Sequence, residues 1–129
     1  MPEERESYTR HIELGKDGEH SGYITVGMLP NGKPGELFIK VAKMGTMERG
    51  LLDGIGVLSS LCLQYGVPPE VLIEKMAGTC FEPDFWMNGR HYCSVLDYIF
   101  RSFEDVCKKH TAVAQPHGIQ ELVAVSATA

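Results

Sequence analysis

Residues 36–66 read ELFIKVAKMGTMERGLLDGIGVLSSLCLQYG, and the change of period inside this stretch decides the fold class. From Glu36 to Lys43 the apolar residues alternate, with Leu37, Ile39 and Val41 on one side and Lys40 on the other, which is the pattern of a half-buried strand. Beyond Gly45 the period lengthens. Met47, Leu51, Ile55, Leu58, Cys62 and Tyr65 recur at helical spacing up to Gly66, so a helix with one apolar stripe is expected to cover the sheet. Thr46 is the expected N-cap, and Glu48 places a negative charge in the first turn, where it suits the helix dipole. Gly50, Gly54 and Gly56 lower helix propensity and point to close packing against the sheet, another helix or a second subunit.

Working outward, Ser7 to Leu14 is strand-like, and Asp17-Gly18 offers a turn before Tyr23 to Leu29 (YITVGML), where Ile24, Val26 and Met28 alternate with Thr25 and Gly27. Pro30-Asn31-Gly32 is a second turn leading into the Glu36 strand. Downstream, Pro68-Pro69-Glu70 opens a shorter helix through Met76, with Gly78 placed to end it. Thr79 to Tyr92 (TCFEPDFWMNGRHY) breaks regular periodicity at Pro83 and Asn88-Gly89, and a structured loop is expected there. Ser94 with Asp97 matches a capping box, and Leu96, Ile99, Phe100, Phe103 and Cys107 share one face of a helix expected to end near Lys108. The expected architecture is α+β: a small three-stranded antiparallel sheet packed against about three helices. Residues 1–110 would form the domain, and 111–129 a loose tail or an inter-subunit contact.

A chain of 129 residues with 43% hydrophobic content supports one core. Its formal charge of −5, from 17 acidic and 12 basic residues, gives no basic field for a nucleic-acid polymer, although a local cation cluster can hold a small anion. The charged start, Met1 to Glu6, lacks the apolar core of a signal peptide, and no apolar run reaches membrane-spanning length, so a cytoplasmic location away from the membrane is expected. Cysteines 62, 80, 93 and 107 are too far apart for a CxxC knuckle, and in that compartment they stay reduced.

Taken together, ERESYTRHIEL, GYITVGMLPNGKPGELFIKVAKMGT, LLDGIGVLSSLCLQYGVPPEVLIEKM, FEP and SVLDYIFRSF resemble the TSCPD domain. That domain is found near the C-terminus of class II, adenosylcobalamin-dependent ribonucleotide reductases. The resemblance runs from about Glu4 to Phe103, and GELFIKVAK, LQYGVPPEVL and LDYIFR carry most of its specificity. In those reductases cobalamin, the radical cysteine and the substrate belong to a large barrel that this chain is too short to contain. The family's cysteine-bearing tail also has no counterpart in the closing ELVAVSATA. The resemblance therefore implies the fold without the catalysis, and neither a cofactor nor a metal is expected. One local departure stands out: FEPDFWMNGRHY puts bulky aromatics where a small residue and glycine usually follow FEP.

Two places carry ligand chemistry. At Lys43-Met44-Gly45-Thr46 free backbone N–H groups, a glycine, a hydroxyl and a lysine are the parts of a phosphate site; the alternative is ordinary capping, in which Glu48 opposes an anion. In the second, Phe81, Phe85, Trp86, Asn88, Arg90, His91 and Tyr92, with Arg101 on the next helix, offer rings for a purine, an amide for a base edge and a guanidinium for phosphate. The alternative is that Phe81 and Trp86 seal the core and Arg90 pairs with Glu82 or Asp84. Cys80, His91 and Cys93 could be a metal set or a thiol–imidazole pair, but zinc wants four convergent ligands and no second pair has the spacing. Cys62 and Cys107 read as core, and His11, His20, His110 and His117 as surface.

The leading expectation is a non-catalytic protein that binds a small nucleotide-type ligand, as a homo-oligomer. In its sharpest form it is a phage anti-defence sponge that sequesters cyclic ADP-ribose isomers or cyclic oligonucleotides. The rivals are an accessory subunit docking on a ribonucleotide reductase large subunit, and a ligand-free structural adaptor.

Overall fold

Three strands and their alternation set the frame. The computed structural model describes residues 6–14, 20–42 and 45–114. Strands β1 (Ser7–Leu14), β2 (His20–Met28) and β3 (Pro34–Val41) form an antiparallel sheet in the order β1-β2-β3. Val26 lies opposite both Tyr8 and Leu37, and Ile24 opposite both Arg10 and Ile39, so each such set shares one face. On that face Ile12, Leu14, Ile24, Val26, Leu37 and Ile39 are fully buried. Thr9, His11, Tyr23, Phe38 and Lys40 stand on the other, outward face. Gly22 is required at the end of β2, because a Cβ there would fall 2.0 Å from the carbonyl oxygen of Lys40. The second turn forms as expected, with Gly32 at φ 81°. The Asp17-Gly18 turn falls outside the described residues.

Helix α1 (Thr46–Gln64) corrects the sequence reading in two ways. Its N-cap is Gly45, not Thr46: the Glu48 carboxylate accepts the Gly45 N–H at 3.2 Å, which needs Gly45 extended and Thr46 already helical. The face it buries is Leu52, Gly56, Ser59, Ser60 and Leu63. The expected stripe largely faces outward, with Met47, Leu51, Leu58 and Tyr65 exposed and only Ile55 and Cys62 half-buried.

The physical reason lies in what α1 packs against. Leu37 pairs with Val26, yet its N–H and C=O point away from β2, along the free edge of β3. Ser60 Oγ accepts the Leu37 N–H at 2.9 Å, and Gln64 Nε2 donates to the Gly35 carbonyl at 3.0 Å. A Cβ on Gly56 would lie 2.9 Å from the Leu37 carbonyl oxygen. Covering a strand edge needs small residues and hydroxyls rather than bulk, so the inner face of α1 is the less apolar one. The helix closes with Val67 N–H on Cys62 O (2.9 Å) and Gly66 N–H on Leu63 O (3.1 Å), with Gly66 at φ 98°, a Schellman motif.

Helix α2 (Pro69–Met76) starts on its proline as expected and lays Leu72, Ile73 and Met76 against the core. The segment expected to be a structured loop contains a hairpin, β4 (Phe85–Met87) with β5 (Arg90–Tyr92). Asn88 (φ 52°) and Gly89 (φ 78°) form its two-residue turn, the conformation Asn-Gly favours. Arms of three residues are too short to show a period, which is why the sequence reads as a loop. Helix α3 (Val95–Ala114) runs six residues past the expected end and crosses the boundary placed at 110. It lies antiparallel to β1: Tyr98 Oη accepts the Glu13 N–H, Arg10 pairs with Asp105 and Tyr8 stacks on His110. Its Ile99, Phe100 and Phe103 are completely buried and close the core over the sheet.

Candidate functional site

Beside the first predicted site the described residues enclose a concavity of about 530 Å³, which Thr46 lines. It opens between the ends of β2 and β3 and the first turns of α1, and Tyr23, Lys40, Thr46, Arg49 and Asp53 supply its polar chemistry. Tyr23 and Lys40 are direct cross-strand partners on the outward face, while Thr46, Arg49 and Asp53 follow one another along α1 at spacings of three and four. Lys40 Nζ is 3.4 Å from Asp53 Oδ1, and both side chains are mostly exposed, so this ion pair is weak and can open. Thr46 lies in the cavity wall. Lys43 lies outside the described residues. Of the backbone N–H groups at the helix start that were expected to cradle phosphate, that of Gly45 is held by Glu48; the cations lining the cavity are Lys40 and Arg49.

The second predicted site is divided by its own hairpin. Phe85 is only 4% exposed and packs on Tyr92 and Tyr98, with ring centroids 5.7 and 5.4 Å away. It is a core residue, because the 85–92 and 87–90 pairs face α3 whereas the 86–91 pair faces outward. Arg90 lies over the Tyr92 ring at 5.5 Å. On the outer side Trp86, 67% exposed, sits against the His91 ring, and His91 Nε2 is 2.8 Å from Asp84 Oδ2. Phe81 is partly exposed and Asn88 serves the turn. Arg101 does not join them: its Nε donates to Asp97 Oδ1 at 2.6 Å.

Asp97 is the centre of that corner. Its carboxylate is 2% exposed and also accepts the N–H of Gly78 at 2.7 Å and of Cys93 at 2.9 Å. Burial by itself would raise its pKa, but the Cys93 and Gly78 N–H groups and the Arg101 guanidinium together hold it below the usual carboxylate range. Ser94 Oγ accepts the Asp97 N–H, so the predicted cap is present on the Ser94 side. The Cys80 thiol beside it, then burial, push the Cys93 thiol upward, the opposite of an activated nucleophile. Among the described residues no group of three or more His, Cys, Asp or Glu side chains is arranged to hold a metal ion.

Sequence reasoning missed Tyr23, Arg49 and Asp53. The available signal was the parity of β2, which turns Tyr23 outward beside Lys40, and the three-residue step from Thr46 to Arg49.

Comparison with known proteins fixes the family. The family model described as TSCPD domain matches residues 1–106. The chain belongs to the TSCPD domain family. Three relatives are named Vitamin B12-dependent ribonucleotide reductase. The protein of Rhodopirellula baltica is 39% identical over 104 residues, 78% of this chain and 10% of that protein. That of Agrobacterium fabrum is 35% identical over 105 residues, again 78% of this chain and 8% of the relative. That of Streptomyces avermitilis is 37% identical over 87 residues, 65% of this chain and 9% of the relative. This TSCPD chain thus spans about a tenth of the length of the curated relatives it matches. No solved structure matches it. Among the described residues no helix is long and apolar enough to cross a membrane.

Proposed function

We propose that this TSCPD domain is a non-catalytic binding module that takes a nucleotide-type anion in the cavity between β2–β3 and the start of α1. The observation that carries the reading is the composition of that cavity: an exposed tyrosine ring, two cations, a hydroxyl and a carboxylate around about 530 Å³. Tyr23 offers a face for a base, Arg49 and Lys40 bind phosphate, Thr46 donates a further hydrogen bond, and Asp53 accepts from ribose hydroxyls. The Lys40–Asp53 pair opens to let each partner turn to the ligand. The relatives' names add the substrate class, since ribonucleotide reductases act on ribonucleotides. The narrower reading is sequestration of cyclic ADP-ribose isomers or cyclic oligonucleotides by a phage-type sponge. It rests on the same cavity and differs only in which ligand binds most tightly.

Titration calorimetry with nucleoside phosphates, cyclic ADP-ribose isomers and cyclic oligonucleotides tests both. Binding should weaken about tenfold or more, which is about 1.4 kcal/mol, in Arg49→Ala and Tyr23→Ala. Tight binding that survives both substitutions, or no heat with any member of the panel, removes the proposal.

A second reading has its own support: the relatives carry this sequence as about a tenth of a much longer reductase. On that reading the chain docks on a ribonucleotide reductase large subunit. Co-purification with a B12-dependent reductase chain lacking this segment is the expected result, and failure to associate at any concentration would exclude it.

A further inference from the structure

Helix α1 turns its less apolar face to β3, and its more apolar face is uncovered among the described residues. Directly across from Leu52, Gly56 and Leu63 lie Met47, Gly50, Leu51, Gly54, Val57, Leu58, Leu61 and Tyr65. The six larger side chains are each between 46% and 87% exposed. This outward strip holds no charged residue; Arg49, Asp53 and Gln64 lie on the flanks. A contiguous exposed apolar strip marks an interaction surface. At its centre Gly50 and Gly54 have nothing within 4 Å of where a Cβ would sit. No close packing among the described residues requires a glycine at either position, yet glycine weakens the helix.

We propose that this face docks on a second copy of the same chain, α1 against α1 and antiparallel, with the two helices crossing at Gly54. The positions are self-complementary about that point. An antiparallel crossing sets Gly54 against its own copy, Gly50 against Leu58 of the second copy, Leu51 against its Val57 and Met47 against its Leu61. Gly50 thereby receives the Leu58 side chain of the second copy, and a two-fold contact requires such pairing of a surface with itself. Glycines at the crossing let the two backbones approach closely. The strip exposes on the order of 700 Å², near the ~800 Å² per partner of a standard-size interface.

The same register brings Leu61 of the second copy beside Met47 in the first turn of α1, next to Thr46 of the cavity wall. The contact involves α1 alone and does not depend on any ligand.

Sedimentation velocity of the full chain reads the outcome. The expected mass is twice the 14.3 kDa of one chain. Gly54→Leu and Leu58→Arg should each halve it, and since position 54 has no neighbour within the chain, Gly54→Leu should keep the far-ultraviolet spectrum and cooperative melting of a folded protein. Orientation is read by mild oxidation of mixed variants: Leu51→Cys chains should cross-link to Val57→Cys chains and not to themselves. A monomer throughout the accessible concentration range overturns the proposal. So does a dimer that survives both substitutions, or Leu51→Cys cross-linking preferentially to itself.

Discussion

Ser60 Oγ takes the backbone N–H of Leu37 at 2.9 Å and donates to the Gly56 carbonyl at 2.8 Å, joining helix to strand edge through one hydroxyl. Both side chains are buried, so Ser60→Ala leaves the Leu37 N–H without a protein partner. Urea unfolding should show a loss of about 1–3 kcal/mol. Gly56→Ala should also destabilise, although alanine is the better helix former, because its Cβ would sit 2.9 Å from the Leu37 carbonyl oxygen. A Gly56→Ala protein more stable than the parent would show that α1 does not press on this edge.

Asp97 should govern the acid limb of stability. Its folded pKa is lowered, so its contribution is fully present above the unfolded value of about 3.9 and is lost as pH falls through the lower folded value. Asp97→Asn removes the charge that Arg101 and two backbone N–H groups surround, and should cost about 2–3 kcal/mol at neutral pH. That deficit should shrink in acid. A deficit of the same size at pH 7 and pH 2 would mean that the charge is immaterial.

Burial, with Glu70 and Glu104 nearby, pushes the Cys107 thiol up to about 12. At pH 8 only about one molecule in ten thousand then carries the thiolate that alkylating agents require. Mass spectrometry after brief iodoacetamide treatment should find exposed Cys80 modified and Cys107 intact. Equal labelling of the two in the folded protein would contradict the packing of α3 described here.

The single tryptophan, Trp86, is largely exposed on the outer side of the hairpin, so its emission should be red-shifted and readily quenched by acrylamide. It also separates the two candidate sites. A nucleotide bound beside Arg49 should leave the emission unchanged, whereas one stacked on the hairpin should quench it directly.

The strands were legible because a sheet with one wet face writes its parity into the chain: Ile24, Val26, Leu37 and Ile39 alternate and are buried. The Ser94–Asp97 start of α3 was legible because capping is local chemistry. The facing of α1 was not, since hydrophobic periodicity assumes that the bulkiest stripe points inward. Here the inward partner is strand backbone, which selects glycine and serine. Phe85 was misplaced for a related reason: three-residue arms give no period from which to separate it from Trp86. The cavity beside Thr46 was not legible, because it depends on Tyr23, which only strand pairing brings there.

The position of α1 also determines how the sheet can grow. Ser60 and Gln64 engage the outer backbone groups of Leu37 and Gly35, so over that stretch of β3 the helix takes the place of a fourth strand. A further strand can add there only if α1 first lets go.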